Sequence, residues 1–240
     1  MLGEISFIPF NPSAVPEGSW LVFAPHPDDE SFGLGGSIIS AVQHGTDVHV
    51  AILTDGALGG EVTDIQKVRK DEARRASTIL GLKSLRFFDY PDRGLLINEN
   101  TIEEVKSYIS ILKPVNIFFP SLLEYHPDHR ATALIIIEAI NRLPAMNFNV
   151  YSYEISVQGF VNTLYDITQV MDLKVKAMRA YDSQQKENDY EELVIALNRT
   201  RSYTLADTIK YAEGVYRFEK SELEDVEGFL TGRIRDYCKN

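Results

Sequence analysis

Four short apolar runs, each closed by turn-forming residues, recur through the first half of the chain. They are WLVFAP (20–25), DVHVAILT (47–54), SLRFFDY (84–90) and VNIFFP (115–120). Their length, apolar content and punctuation predict β-strands. Between them, segments 35–44, 61–80, 99–112 and 129–143 repeat their apolar residues at helical spacing, with Gly45 and Gly81 as stops after the first two. This β-α-β-α order predicts an α/β fold: a Rossmann-like, mainly parallel, doubly wound sheet covered by helices on both faces.

The pattern changes after Pro144. FNVYSYEIS (148–156) reads as a strand and 160–168 as a second, short one. Helical spacing then covers 169–181, 186–199, 203–213 and 222–236. With no internal repeat, low-complexity tract or Pro/Ser-rich linker, residues 1–240 read as one domain, of which about 185–240 form a helical C-terminal extension.

Composition narrows the class. A chain of 240 residues with 44% hydrophobic and 25% charged residues suits one globular domain. The formal net charge of −11 repels phosphate backbones and argues against nucleic acid as a partner. The single cysteine, Cys238, rules out an intrachain disulfide. The start MLGEISFIPF lacks the basic and apolar regions of a signal peptide, and no apolar run approaches the 18 residues of a transmembrane helix. The expected location is the cytoplasm, the expected partner a small molecule, and a homo-oligomer is compatible with the sequence.

Candidate chemistry begins where the first run ends, in FAPHPDDESFGLGG (23–36). In an open parallel sheet, ligands bind at the carboxyl ends of strands, and HPDDE falls there. His26 and Asp29 stand three residues apart, so both can converge on one point as ligands of a zinc-like cation. Asp28 then points elsewhere, near the metal but free for proton transfer. The plain alternative is that Asp28, Asp29 or Ser31 caps the following helix. A dinucleotide loop is disfavoured: Gly33, Gly35 and Gly36 give GxGG rather than GxGxxG, and two aspartates would repel a pyrophosphate. The glycines are better read as letting the helix start sit close to the sheet.

A second cluster, EYHPDHR (124–130), follows the fourth run and repeats the spacing with His126 and His129. Three of the five histidines thus sit at two strand ends, each beside aspartates. Two histidines and one carboxylate form a common catalytic zinc set that leaves a position open.

Together, APHPDDESFGLGG and YHPDHR resemble the LmbE / PIG-L family of zinc-dependent N-deacetylases. So do TDGALGG (54–60), VRKDEARRASTILG (68–81), FFDYPDRGL (87–95), YDITQVMDLKVKAM (165–178) and YDSQ (181–184), in order, so the resemblance spans most of 20–184. Two departures stand out. Pro25 occupies the place before His26 where many relatives carry Ala, and Ala57 stands where relatives often have Glu, with Glu61 nearby.

The resemblance implies removal of the N-acetyl group from an N-acetylglucosamine-type sugar, giving acetate and a free amine. By motif position, His26, Asp29 and His129 would be the metal ligands, for Zn2+ with Fe2+ or Co2+ as alternatives. Asp28 would be the general base, His126 the protonated oxyanion donor, and Asp128 the acid that orients it. Arg69 and Asp92 would bind or frame the sugar, and Tyr125 is a further candidate contact. Arg69 also has a plain reading, in which its charged helix KVRKDEARR pairs it with Glu72. Two other functions stay open: a metal-dependent amidase acting on another acylated amino sugar or a thiol conjugate, and a non-catalytic binding protein on the same fold.

Overall fold

A computed structural model describes residues 8–60, 63–144, 148–185 and 189–237. Glu61 and Cys238 lie outside them, as do the ends of the helices expected over 61–80 and 186–199.

The first half follows the predicted alternation. It runs β1 (Trp20–Ala24), α1 (Asp29–Gln43), β2 (Val48–Thr54), α2 (Ile65–Leu80), β3 (Ser84–Tyr90), α3 (Glu99–Leu112), β4 (Asn116–Pro120), α4 (Pro127–Asn141) and β5 (Asn149–Tyr153). These five strands are parallel. The first and fourth helices start earlier than the apolar periodicity suggested, because the HPDDE and HPDH segments are themselves the openings of α1 and α4.

The chain continues with β6 (Thr163–Asp166), a 3-10 turn (Thr168–Val170), α5 (Met171–Met178), α6 (Asp182–Gln185) and α7 (Tyr190–Arg201). It closes with β7 (Ala212–Arg217), α8 (Lys220–Glu224) and α9 (Val226–Tyr237). The helix expected over 203–213 is not there. Residues 203–211 form turns, and β7 enters the sheet antiparallel to both β5 and β6. The last quarter is therefore not a purely helical extension, since one of its segments is a sheet strand. Its Ala and Gly content hid it, and the glycine is required by space: a Cβ on Gly214 would lie 2.8 Å from Glu154 Oε2 and 2.9 Å from Val161 Cγ1.

The sheet order is β3-β2-β1-β4-β5-β7-β6. Strands β1 and β4 are neighbours although they are far apart in sequence. The chain order reverses between them, which places the loops after both strands at a topological switch point. Apolar side chains cover both faces. Trp20, Val22, Ile38, Val50 and Tyr181 pack on the α1/α2/α5 side, and Leu21, Phe23, Ile109, Ile117 and Ile136 on the α3/α4 side. The glycines of α1 allow close approach, for a Cβ on Gly33 would sit 2.5 Å from the Tyr153 ring, and one on Gly36 2.7 Å from Ile167 Cγ2.

Candidate active site

Residues 25–28, between β1 and α1, carry the first half of the site. Asp28 precedes α1 with φ 130°, a region that L-residues rarely adopt. Its side chain does not cap the helix. Instead Oδ2 accepts a hydrogen bond from Arg69 Nη2 at 2.9 Å. Arg69 is 3% exposed and donates further to the carbonyls of Pro27 and Gly56, so its guanidinium is committed to this loop rather than to Glu72. Glu72 instead accepts from the backbone and hydroxyl of Ser183. Burial raises the Asp28 carboxyl to about 7, against the pull of Arg69 and with Asp29 adding to the rise.

The second half comes from the start of α4. His126 is its N-cap, Pro127 fixes the first helical φ, and the Asp128 N–H donates to His126 Nδ1 at 3.2 Å. Accepting at Nδ1 selects the tautomer that carries its proton on Nε2. Burial, reinforced by the neighbouring His26 and His129, holds His126 below its usual value. The protonated His126 expected from sequence is thus not what its surroundings favour; the neutral ring with an Nε2–H donor is.

The two halves meet at three atoms. His26 Nδ1 lies 3.1 Å from Asp29 Oδ2 and 3.3 Å from His129 Nε2, and that nitrogen is 3.3 Å from the same Asp29 oxygen. Bonds of about 2.0–2.1 Å to a tetrahedral cation put ligand atoms about 3.3 Å apart, so the triangle has the size that one divalent ion requires. The electrostatics agree. Burial lowers both imidazoles, yet Asp128, Asp29 and Asp92 raise His26 well above its usual value, and Asp29 raises His129 to about 9. Protons are thus drawn to where a cation would otherwise sit. Asp29 is held far below the carboxylate range: burial pushes it up, and the two histidines outweigh that.

Other ligand-type groups lie close by. His26, His126 and His129 present atoms within 4.8 Å of one another, as do His26, Asp92, His126 and Asp128. The second group lies at the far side of the His26 ring, where Nε2 is 3.2 Å from Asp128 and 3.4 Å from Asp92. Asp128 Oδ2 also accepts the Arg93 N–H at 2.7 Å, and Asp92 accepts that of Leu58. These carboxylates therefore orient His26 from behind, as acids commonly do for metal-binding histidines. Asp92 is held down at about 2, because His26 outweighs its burial. The Asp128 carboxylate faces His26 Nε2 and the Arg93 and Leu95 N–H groups, and it is the Asp128 backbone N–H, not the acid group expected from sequence, that bonds to His126.

Two further carboxylates support the site from behind. Glu124 is buried, accepts the Ile155 and Ser156 N–H groups, and places Oε2 3.5 Å from His129 Nδ1. Its place two residues before His126 was the available signal. Glu30 receives the Tyr181 and Ser31 hydroxyls and the Asp28 N–H, so it braces the loop from beneath.

A cleft of about 260 Å³ opens over the triangle. His26, Asp28, Asp29, Arg69, Asp92, His126 and His129 all border it. Tyr125 does not, and at 77% exposure its side chain faces solvent. Gln184 borders it too and donates to the Gly59 carbonyl.

Residues 21–140 match the family model described as "PIG-L: GlcNAc-PI de-N-acetylase". The chain belongs to the PIG-L family. A diacetylchitobiose deacetylase of Thermococcus kodakarensis is 30% identical over 223 residues, covering 82% of this chain and 84% of that protein. Among solved structures, N,N'-diacetylchitobiose deacetylase from Pyrococcus horikoshii superposes with a TM-score of 0.76 at 24% identity, covering 84% of each chain, which supports the shared fold. GalB of Pseudomonas putida KT2440, a 4-carboxy-2-hydroxymuconate hydratase, superposes at 0.74 with 26% identity, covering 85% of this chain and 98% of its own. PIG-L-like folds therefore carry more than one reaction, and the assignment of this member rests on its site.

Proposed function

We propose that this PIG-L family member is a metal-dependent hydrolase that removes the N-acetyl group from an N-acetylglucosamine-type amino sugar. The observation that carries the reading is the triangle of His26 Nδ1, Asp29 Oδ2 and His129 Nε2, with the buried Asp28 carboxyl and a donor-ready His126 beside it. His26, Asp29 and His129 would hold the ion, and their nitrogen and oxygen donors suit zinc, with ferrous iron or cobalt as alternatives. A divalent ion bound there supplies Lewis acidity, which makes a water more acidic and polarises a carbonyl.

The chain's own residues supply the rest. Asp28, raised to about 7, accepts the proton of the attacking water and returns it to the amide nitrogen as the C–N bond breaks. Acetate and a free amine leave. Arg69 fixes the carboxylate that performs both transfers. His126 donates its Nε2–H to the carbonyl oxygen as that oxygen gains charge; a donor of this kind is worth about 3–4 kcal/mol. Glu124, Asp128 and Asp92 hold the ring planes of His129 and His26. Arg93 at the cleft edge offers a polar contact for sugar hydroxyls, and Asp92 frames that edge from behind His26.

The test is amine release from N-acetylglucosamine and N,N'-diacetylchitobiose by protein as purified, after chelation, and after zinc is restored. Activity should vanish and return in that order, and Asp28→Asn should lower kcat by about 10²–10⁴-fold while still binding metal. Metal binding with no amide cleaved, or hydration of a hydroxymuconate-type substrate instead, would reassign the reaction.

A further inference from the structure

The cleft has two chemically different walls, contributed from opposite faces of the sheet. The loop after β3, which leads to α3, brings Asp92 and Arg93. On the α1 side, α7 brings Tyr190, Leu193, Val194 and Leu197, at helical positions i, i+3, i+4 and i+7, beside Phe32. Leu58 and Ile155 continue the apolar surface. Leu193 is 62% and Leu58 54% exposed, so this surface is open to whatever enters the cleft.

The α7 wall is firmly held. Asn198 accepts from the buried Lys174 ammonium at 2.8 Å, and Arg201 pairs with Glu154 through Nε at 2.8 Å and also reaches the Gly159 carbonyl. Its stripe runs from Tyr190 to Leu197, about 10 Å at the helical rise, which is several times the reach of an acetyl methyl. Sugar hydroxyls placed against leucine and valine would lose hydrogen bonds to water without replacement, whereas the exposed Arg93 on the opposite wall can satisfy them. On the hydrolase reading, the amide lies between the walls, over the triangle. The sugar therefore belongs to the polar wall and the other substituent of the amide to α7.

Building on the amide-hydrolase reading above, we infer that α7 forms an acyl-chain subsite, and that the preferred substrates are amino sugars whose N-acyl group is a longer alkyl chain than acetyl. Each methylene laid on the wall should raise kcat/KM about three- to fourfold until the stripe is covered.

The experiment compares N-acetyl-, N-butanoyl-, N-hexanoyl- and N-octanoyl-glucosamine, with octyl N-acetylglucosaminide as a separate arm. It measures kcat/KM with the zinc-loaded enzyme, and binding by calorimetry with zinc-loaded Asp28→Asn. Both should strengthen with acyl length, and Leu193→Asn should flatten that slope. A flat acyl series, a gain confined to the octyl glycoside, or an equal loss at every length in Leu193→Asn would overturn the subsite. Length-dependent binding without turnover of any amide would uphold the subsite and sink the hydrolase reading instead.

Discussion

Residue-scale chemistry at this site depends on partners that stand behind the reactive atoms. Glu124→Gln leaves every atom of the metal triangle in place but weakens the acceptor facing His129 Nδ1, and metal affinity should fall about 10–100-fold, as read by competition with a chelating dye. Arg69→Met removes the cation that lowers the Asp28 carboxyl. The acid limb that Asp28 contributes to the pH–kcat/KM profile should then move to higher pH than in the parent protein. An unmoved limb would show that another group is being titrated. Because His126 works as a neutral donor, its titration should add no alkaline limb. That His26, Asp28, Asp29 and His129 come together was legible in the sequence, because each lies within one strand–loop–helix passage. Glu124 was not, because its orientation is fixed by backbone N–H groups some thirty residues away at the end of β5. For Arg69 the sequence offered a role binding or framing the sugar or a pairing with Glu72; nothing in KVRKDEARR shows that its guanidinium reaches Asp28 and the Pro27 carbonyl, far back in the chain.

At the scale of elements, α1 is the part most tightly fitted. Gly33→Ala drives a methyl into the Tyr153 ring and the Glu154 carbonyl, and should cost about 1–3 kcal/mol in chemical denaturation. On the same helix, Glu213 of β7 accepts the Gly36 and Ser37 N–H groups and pairs with the fully buried Lys174 at 2.6 Å. Lys174→Met should destabilise the fold by about 3–5 kcal/mol, since it strands a buried carboxylate, and adding Glu213→Gln should recover part of the loss. The alternating strands and helices up to β5 announced themselves by period and punctuation. Strand β7 did not, because its decisive feature, a gap for Glu154 and Val161, belongs to the tertiary structure and not to the strand's own residues.

For the whole molecule, the site sets a dependence of stability on pH that metal should erase. In the metal-free protein the folded state raises His129 to about 9 and lifts His26 as well. Raised values mean that folding binds protons, so this contribution is complete below about 6.5 and is lost as pH rises through about 9. Asp92, lowered to about 2, acts in the opposite sense, contributing above about 4 and fading as pH falls towards 2. The gap in Tm between zinc-loaded and chelated protein should therefore widen from pH 6.5 to 9, and calorimetry that finds it constant would contradict this account. No helix among the described residues is long and apolar enough to cross a membrane.

The position of β7 between β5 and β6 also has a meaning in time. A nascent chain emerging from the ribosome exposes the HPDDE and HPDH passages long before residue 212. Until β7 arrives, β5 is an open edge, β6 is paired only through the single bridge from Ser13, and the wall that α7 lends the cleft lacks the strand it packs against. Synthesis interrupted before residue 212 would leave every residue of the triangle present on an incomplete sheet with a sticky border. Such a product should be recognised by chaperones as unfinished.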